Sequence, residues 1–241
     1  PLLVLLSARA VQRELVLSDQ NGGEELAVAA EMLHWAIALH DAALGRQGGR
    51  RRRAARRLVG GAVGWLGGNH LTLRALELTR QAEGSEALGE LLEALREVSE
   101  GHVLTQTLQG RTATTTEAMA HAENHTGVVF SFACRVGAQL ARAERPVVTG
   151  LGRYGRQAGI AWHLAEDISI LEQEGEELIV ALEDRAAYGH PMLAICLAAE
   201  RDPRVGELWI RLSQQEDAQV TLELAERVRA VGGLADGRRR L

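Results

Sequence analysis

Apolar residues recur every three to four positions along almost the whole chain. Between Glu24 and Leu44 the residues Leu26, Ala29, Ala30, Leu33, Ile37 and Leu44 form one broad stripe, uninterrupted by Pro or Gly. That period is the signature of a helix with one buried face. Gly45, Gly48 and Gly49 then supply a stop, so the helix delivers His40 and Asp41 to its own C-terminal end. The loop that follows carries Arg46 and Arg50 to Arg53. A carboxylate and a guanidinium cluster at the end of an apolar helix point to a site for an anion.

The same period predicts helices over Leu2–Leu17, Ala54–Ala82, Ser85–Gln109, Ala118–Ala143, Thr149–Glu172, Glu177–Ala187, Pro191–Glu200 and Val205–Ala230. Ser18 to Gly23 reads as a turn, Thr112–Thr116 as a loop, Arg145-Pro146 as a break and Glu174–Glu177 as an acidic turn. Ser85 and the Thr116-Glu117 pair are the expected caps, and Arg238–Arg240 reads as a frayed tail. Gly60, Gly61, Gly64, Gly67 and Gly68 would weaken an isolated helix, so close backbone packing is the expected reason for them. The predicted class is all-α, a single domain over 1–241, without repeats or a linker.

Composition narrows this picture. Aromatic residues make up only 3% of the chain, which suits aliphatic helix stripes better than sheet faces. The net charge of −5 argues against general nucleic-acid binding. All 27 positive residues are Arg, so any chemistry that needs a lysine is absent. Cys134 and Cys196 lie singly on apolar patterns and read as buried free thiols, in keeping with a reducing cytoplasm. Pro1–Ala10 lacks the basic region of a signal peptide, and no run is long enough for a membrane span. A helical pattern already under way at Leu2, with no initiator Met, implies that an N-terminal piece is missing.

A series of short motifs then falls into a familiar order. These are Leu39-His40-Asp41-Ala42-Ala43-Leu44-Gly45, Arg50-Arg51, Gly68-Asn69-His70-Leu71, Glu100-Gly101, His125-Thr126, the run Leu151 to His163, Glu166-Asp167-Ile168-Ser169-Ile170, and Gly189-His190. In this order and spacing the chain resembles the trans-isoprenyl diphosphate synthases, the polyprenyl synthetase family, over residues 1–193. The resemblance implies a helical bundle around a central apolar cavity. It also implies prenyl-chain elongation from isopentenyl and allylic diphosphates, with Mg²⁺ held by two aspartate-rich motifs. The residual metal ligands it implies are Asp41, Glu166 and Asp167. The substrate-binding positions are Arg50, Arg51, His125, Thr126, His163 and His190.

The departures bear on activity. Where the family's first motif has further acidic residues this chain has Ala42 and Gly45, and the second motif ends in Ile170. Carboxylates at i and i+4 share a helix face and can reach one ion cluster; neither motif keeps such a pair. The family's diphosphate-binding lysines are His125 and His190 here, and imidazole is mostly neutral near pH 7. Two i,i+4 pairs, His121/His125 and His163/Asp167, could each take a transition metal, although no zinc-module spacing is present. Trp35, Trp65, Trp162 and Trp209 read as core or interface residues. Ala36, five residues before Asp41, is small where the family limits chain length, and Trp35 could close the space instead.

Three functions follow from the resemblance. The first is a catalytically impaired subunit, in a homodimer or in a heteromer with an intact prenyl diphosphate synthase. The second is an active Mg²⁺-dependent prenyltransferase or cyclase-like enzyme, and the third a non-catalytic prenyl-lipid binder. The helices 24–44 and 54–82 are the expected subunit interface.

Overall fold

The computed structural model describes residues 1–12, 22–44, 61–82 and 85–240. The calls on 13–21, on the Arg46 to Arg57 loop (Arg50 and Arg51 included), on Gly60 and on the side chains of Leu44 and Ser85 lie outside the described residues.

Among the described residues every regular element is a helix. In chain order they are α1 (Leu2–Val11), α2 (Gly23–Leu44), α3 (Ala62–Gln81), α4 (Ser85–Leu108), α5 (Thr115–Ala122) and a π-helical segment (Glu123–Gly127). These are followed by α6 (Val128–Leu140), α7 (Arg145–Glu172), α8 (Gly175–Tyr188), α9 (Leu193–Ala199), α10 (Pro203–Gln214), α11 (Ala218–Ala230) and α12 (Gly233–Arg238). The all-α expectation holds. No described helix is long and apolar enough to cross a membrane.

Several boundaries differ from the periodic reading. The helix expected over Ala118–Ala143 is divided by the π-helical segment. Its cap is Thr114 rather than Thr116: the Glu117 amide donates to Thr114 Oγ1 at 3.2 Å and the Thr114 amide to Glu117 Oε2 at 2.8 Å. This reciprocal pair is a capping box. Pro146 sits inside the first turn of α7, where a missing N–H removes no helical bond. Val205–Ala230 forms two helices because Asp217 accepts from the Gln219 and Val220 amides and starts α11 afresh. Residues read as a frayed tail contribute Arg238 to α12.

The residues fall into two compact units. The first comprises Pro1–Ala43, Ala62–Glu100 and Glu123–Gly159. Its core joins Leu26, Ala29, Ala30, Leu33 and Ile37 of the predicted α2 stripe to Val4, Leu91, Val98, Phe132 and Val136. α1 packs along α6, and α2 along α3. At Gly64 a Cβ would meet the Leu39 carbonyl at 3.0 Å, and at Gly68 it would enter the His40 ring. Close approach is therefore why α3 carries glycines.

The second unit comprises the described residues of Gly101–Ala122 and Ile160–Leu241. Its larger cluster joins Leu171, Leu178, Leu182, Ile195, Leu208, Trp209 and Leu224. A smaller one joins Leu108, Ala118, Ala122, Ile160, Leu164 and Cys196. Cys134 and Cys196 are both buried free thiols, as expected. Trp209 is core, whereas Trp35, Trp65 and Trp162 are exposed. Trp35 donates its indole N–H to Glu31 at 3.0 Å.

Candidate functional site

In the first unit α2 ends with His40 and Asp41, as its apolar stripe requires. Each meets a partner from a distant element. His40 Nε2 lies 3.2 Å from Asn69 Oδ1 on α3, with its ring 5.0 Å from that of Trp65. Asp41 Oδ2 lies 2.5 Å from Nε2 of His125, which sits in the π-helical segment. A carboxylate only accepts, so this nitrogen carries the proton. His125 Nδ1 is 3.3 Å from the hydroxyl of the buried Thr126. The π-helical segment thus brings together three residues singled out from the sequence: Asp41, His125 and Thr126. Single-turn π-helices are frequent at functional sites.

This unit also holds a cleft of about 150 Å³, lined by Glu90, Glu97, Ser131, Arg135 and Arg156. Its charges pair across it. Arg135 holds Glu90 at 2.5 and 2.6 Å, and Arg156 holds Glu97 at 2.7 and 3.1 Å. Arg156 also reaches Glu123 at 3.2 Å. Bidentate pairs of this kind fix helices, which gives Arg156 of the Leu151–His163 run a clamping role.

In the second unit α7 carries His163 and Asp167 one turn apart, both buried. α8 ends at Gly189 in the left-handed conformation, φ 81°, and this turn presents His190. His190 Nε2 lies 3.3 Å from Asp167 Oδ1, and Arg185 in the last turn of α8 approaches the same oxygen at 3.6 Å. Glu166 is exposed.

The pairing expected for His121 is not the one formed. α5 directs His121, fully buried, to His190: Nε2 is 3.2 Å from His190 Nδ1. Its ring centroid is 5.2 Å from that of His163. His125, four positions on, is bonded to Asp41 instead. The intervening turn is π-helical, which moves positions four apart off a common face. The sequence shows His121, His163 and His190 only at separations of 42 and 27 residues, a spacing that carries no local signal.

Near this cluster, burial and then the negative charge of Asp167 push the Cys196 thiol up to about 12. It is held as a neutral, apolar group.

The polyprenyl synthetase family profile matches residues 1–224. Octaprenyl diphosphate synthase of Escherichia coli (strain K12) is 28% identical over 250 residues, covering 100% of this chain and 74% of that protein. (2E,6E)-Farnesyl diphosphate synthase of Mycobacterium bovis is 30% identical over 173 residues, 70% of this chain and 47% of that protein. Among solved structures, polyprenyl synthase from Caulobacter crescentus CB15, complexed with calcium and isoprenyl diphosphate, matches with a TM-score of 0.79 and 27% identity over 98% of this chain and 72% of that one. Decaprenyl diphosphate synthase from Rhodobacter capsulatus matches in fold with a TM-score of 0.81 and 23% identity, over 99% of this chain and 73% of the other.

Proposed function

The chain belongs to the polyprenyl synthetase family of isoprenoid biosynthesis, and within it we propose a catalytically impaired subunit that pairs with an intact prenyl diphosphate synthase. One observation carries this reading. The two histidines at the lysine positions of the resemblance each lie against a surviving carboxylate, His125 hydrogen-bonded to Asp41 at 2.5 Å and His190 at 3.3 Å from Asp167. Groups that would hold Mg²⁺ and diphosphate are spent on one another.

Mg²⁺ is a hard ion that takes oxygen ligands in an octahedron. The oxygens present suit it poorly. One oxygen of Asp41 is committed to His125, and Asp167 is buried beside His190 and Arg185. Glu166 is left as the exposed carboxylate of its motif. Electrostatic stabilisation of the departing diphosphate is the main catalytic contribution to expect in such chemistry, and one preorganised contact contributes roughly 3 kcal/mol. Arg50 and Arg51 are the proposed diphosphate contacts, as the resemblance implies.

The surfaces of α2 and α3 support an assembly role. Val28 and Trp35 lie seven residues apart on α2, as do Leu66 and Leu73 on α3, and all four are exposed. A partner helix layer is the proposed cover.

The test is an elongation assay with labelled isopentenyl diphosphate and an allylic co-substrate. The chain alone is expected to turn over little or nothing. Mixed with an intact relative, it should co-purify and alter that enzyme's rate or product length. Robust Mg²⁺-dependent turnover by the isolated chain, abolished by Asp41→Ala, sinks the subunit reading and makes the chain an active prenyltransferase.

A further inference from the structure

We propose that His121, His163 and His190 form a binding site for a transition-metal ion of the zinc class, distinct in donor chemistry from a carboxylate-held Mg²⁺ site. The three residues offer ring nitrogens that all lie within 4.8 Å of one another, and all three side chains are buried. They arrive from α5, from α7 and from the turn after α8, so the site is fixed by three separate pieces of backbone.

The hydrogen bonds assign the protons. The Thr105 hydroxyl donates to the Gly101 carbonyl at 2.9 Å, so its oxygen accepts from His121 Nδ1–H, also at 2.9 Å. That leaves the lone pair of His121 on Nε2. His190 Nδ1–H then donates to that nitrogen at 3.2 Å, and His190 Nε2 lies 3.3 Å from Asp167 Oδ1. The two nitrogens thus share one proton, which a metal ion bound between them would displace.

A metal ion suits that place. Two nitrogens bound to one tetrahedral ion at about 2.0–2.1 Å stand about 3.4 Å apart, close to the separation found. The nearby His163 nitrogen makes a third ligand, and three imidazoles with an open fourth position favour zinc-class ions over hard Mg²⁺. The His163 and His190 rings lie side by side, 12° from parallel, with centroids 4.9 Å apart. With Nδ1 on the ion, His190 would carry its proton on Nε2, 3.3 Å from the Asp167 carboxylate that would then orient it, and Thr105 orients His121.

Arg185 opposes the ion. Its Nη1 is 3.0 Å from His190 Nδ1 and 2.8 Å from Nε2. The guanidinium therefore has to leave Nδ1 before an ion can bind there. Its positive charge weakens cation binding as well, and its side chain is part exposed and able to swing outward.

The experiment uses the whole chain stripped of metal with a chelator and titrated with Co²⁺ alone. The site gives the intense visible bands of low-coordinate cobalt at one equivalent, displaced by Zn²⁺. Asp167→Asn should weaken binding about 10–100-fold, Arg185→Gln should tighten it, and His163→Gln should abolish the bands while helical content is unchanged. Only the weak spectrum of hydrated Co²⁺ from the wild-type chain, or equal affinity in His163→Gln, overturns the proposal; the cluster is then a proton-linked core network. The wild-type titration decides even where a variant does not fold. The proposal does not rest on the subunit reading, and the readout is independent of elongation activity.

Discussion

Glu117 shows how a single side chain ties local chemistry to stability. Arg111 holds it at 2.6 and 3.0 Å, and Thr114 adds its amide, so its carboxyl is lowered from 4.5 to about 2, chiefly by Arg111. A depressed folded-state value stabilises the protein above the unfolded value. That contribution is lost as pH falls from 4.5 towards 2. Water screens this surface pair, so we expect Glu117→Gln to cost about 1 kcal/mol at pH 7. Urea unfolding across pH should show the gap between variant and parent closing below pH 4.5; a gap constant with pH would remove the charge from the explanation. Cys196 gives a second expectation. With its thiol pushed up to about 12 by burial, the native chain should not react with a thiol reagent at Cys196 near neutral pH, and denaturant should restore reaction. Rapid labelling of Cys196 in the folded chain would contradict the burial.

Elements were legible where one rule governed them. The α2 stripe was readable because five of its named positions, Leu26, Ala29, Ala30, Leu33 and Ile37, do pack into one core. The glycines of α3 were readable as close approach because the next helix touches them. Boundaries failed where periodicity continues across a break. Leu212, Val220 and Leu224 keep an apolar rhythm through the gap between α10 and α11, and only the Asp217 cap betrays it. Asp217→Ala should therefore cost about 1 kcal/mol in thermal or urea unfolding; no loss would leave α11 started by packing alone. The π-helical turn was hidden for a different reason: it inserts a residue without any Pro or Gly before Gly127. The same insertion hid the candidate site. A helix read as continuous put His121 beside His125, whereas the folded chain sends one to His190 and the other to Asp41.

At the scale of the molecule, family order along the chain carried more than any single motif. No one residue pair identified the fold, but the succession from Leu39 to His190 did, and it survives 28% identity to an E. coli relative. The consequence of the exposed apolar faces lies in how such a chain is kept in a cell. Val28, Trp35, Leu66 and Leu73 face water in an isolated copy. Uncovered patches of this sort attract chaperones, proteases and other copies. Under the proposed pairing, a copy made without its companion would be short-lived and one that finds its companion would be shielded. Supply of the companion would then set the steady amount of this chain, so expressing it alone should give lower yield and more aggregate than co-expression at equal transcript. Equal yield, measured by quantitative blotting of the soluble fraction, would show that these faces need no cover.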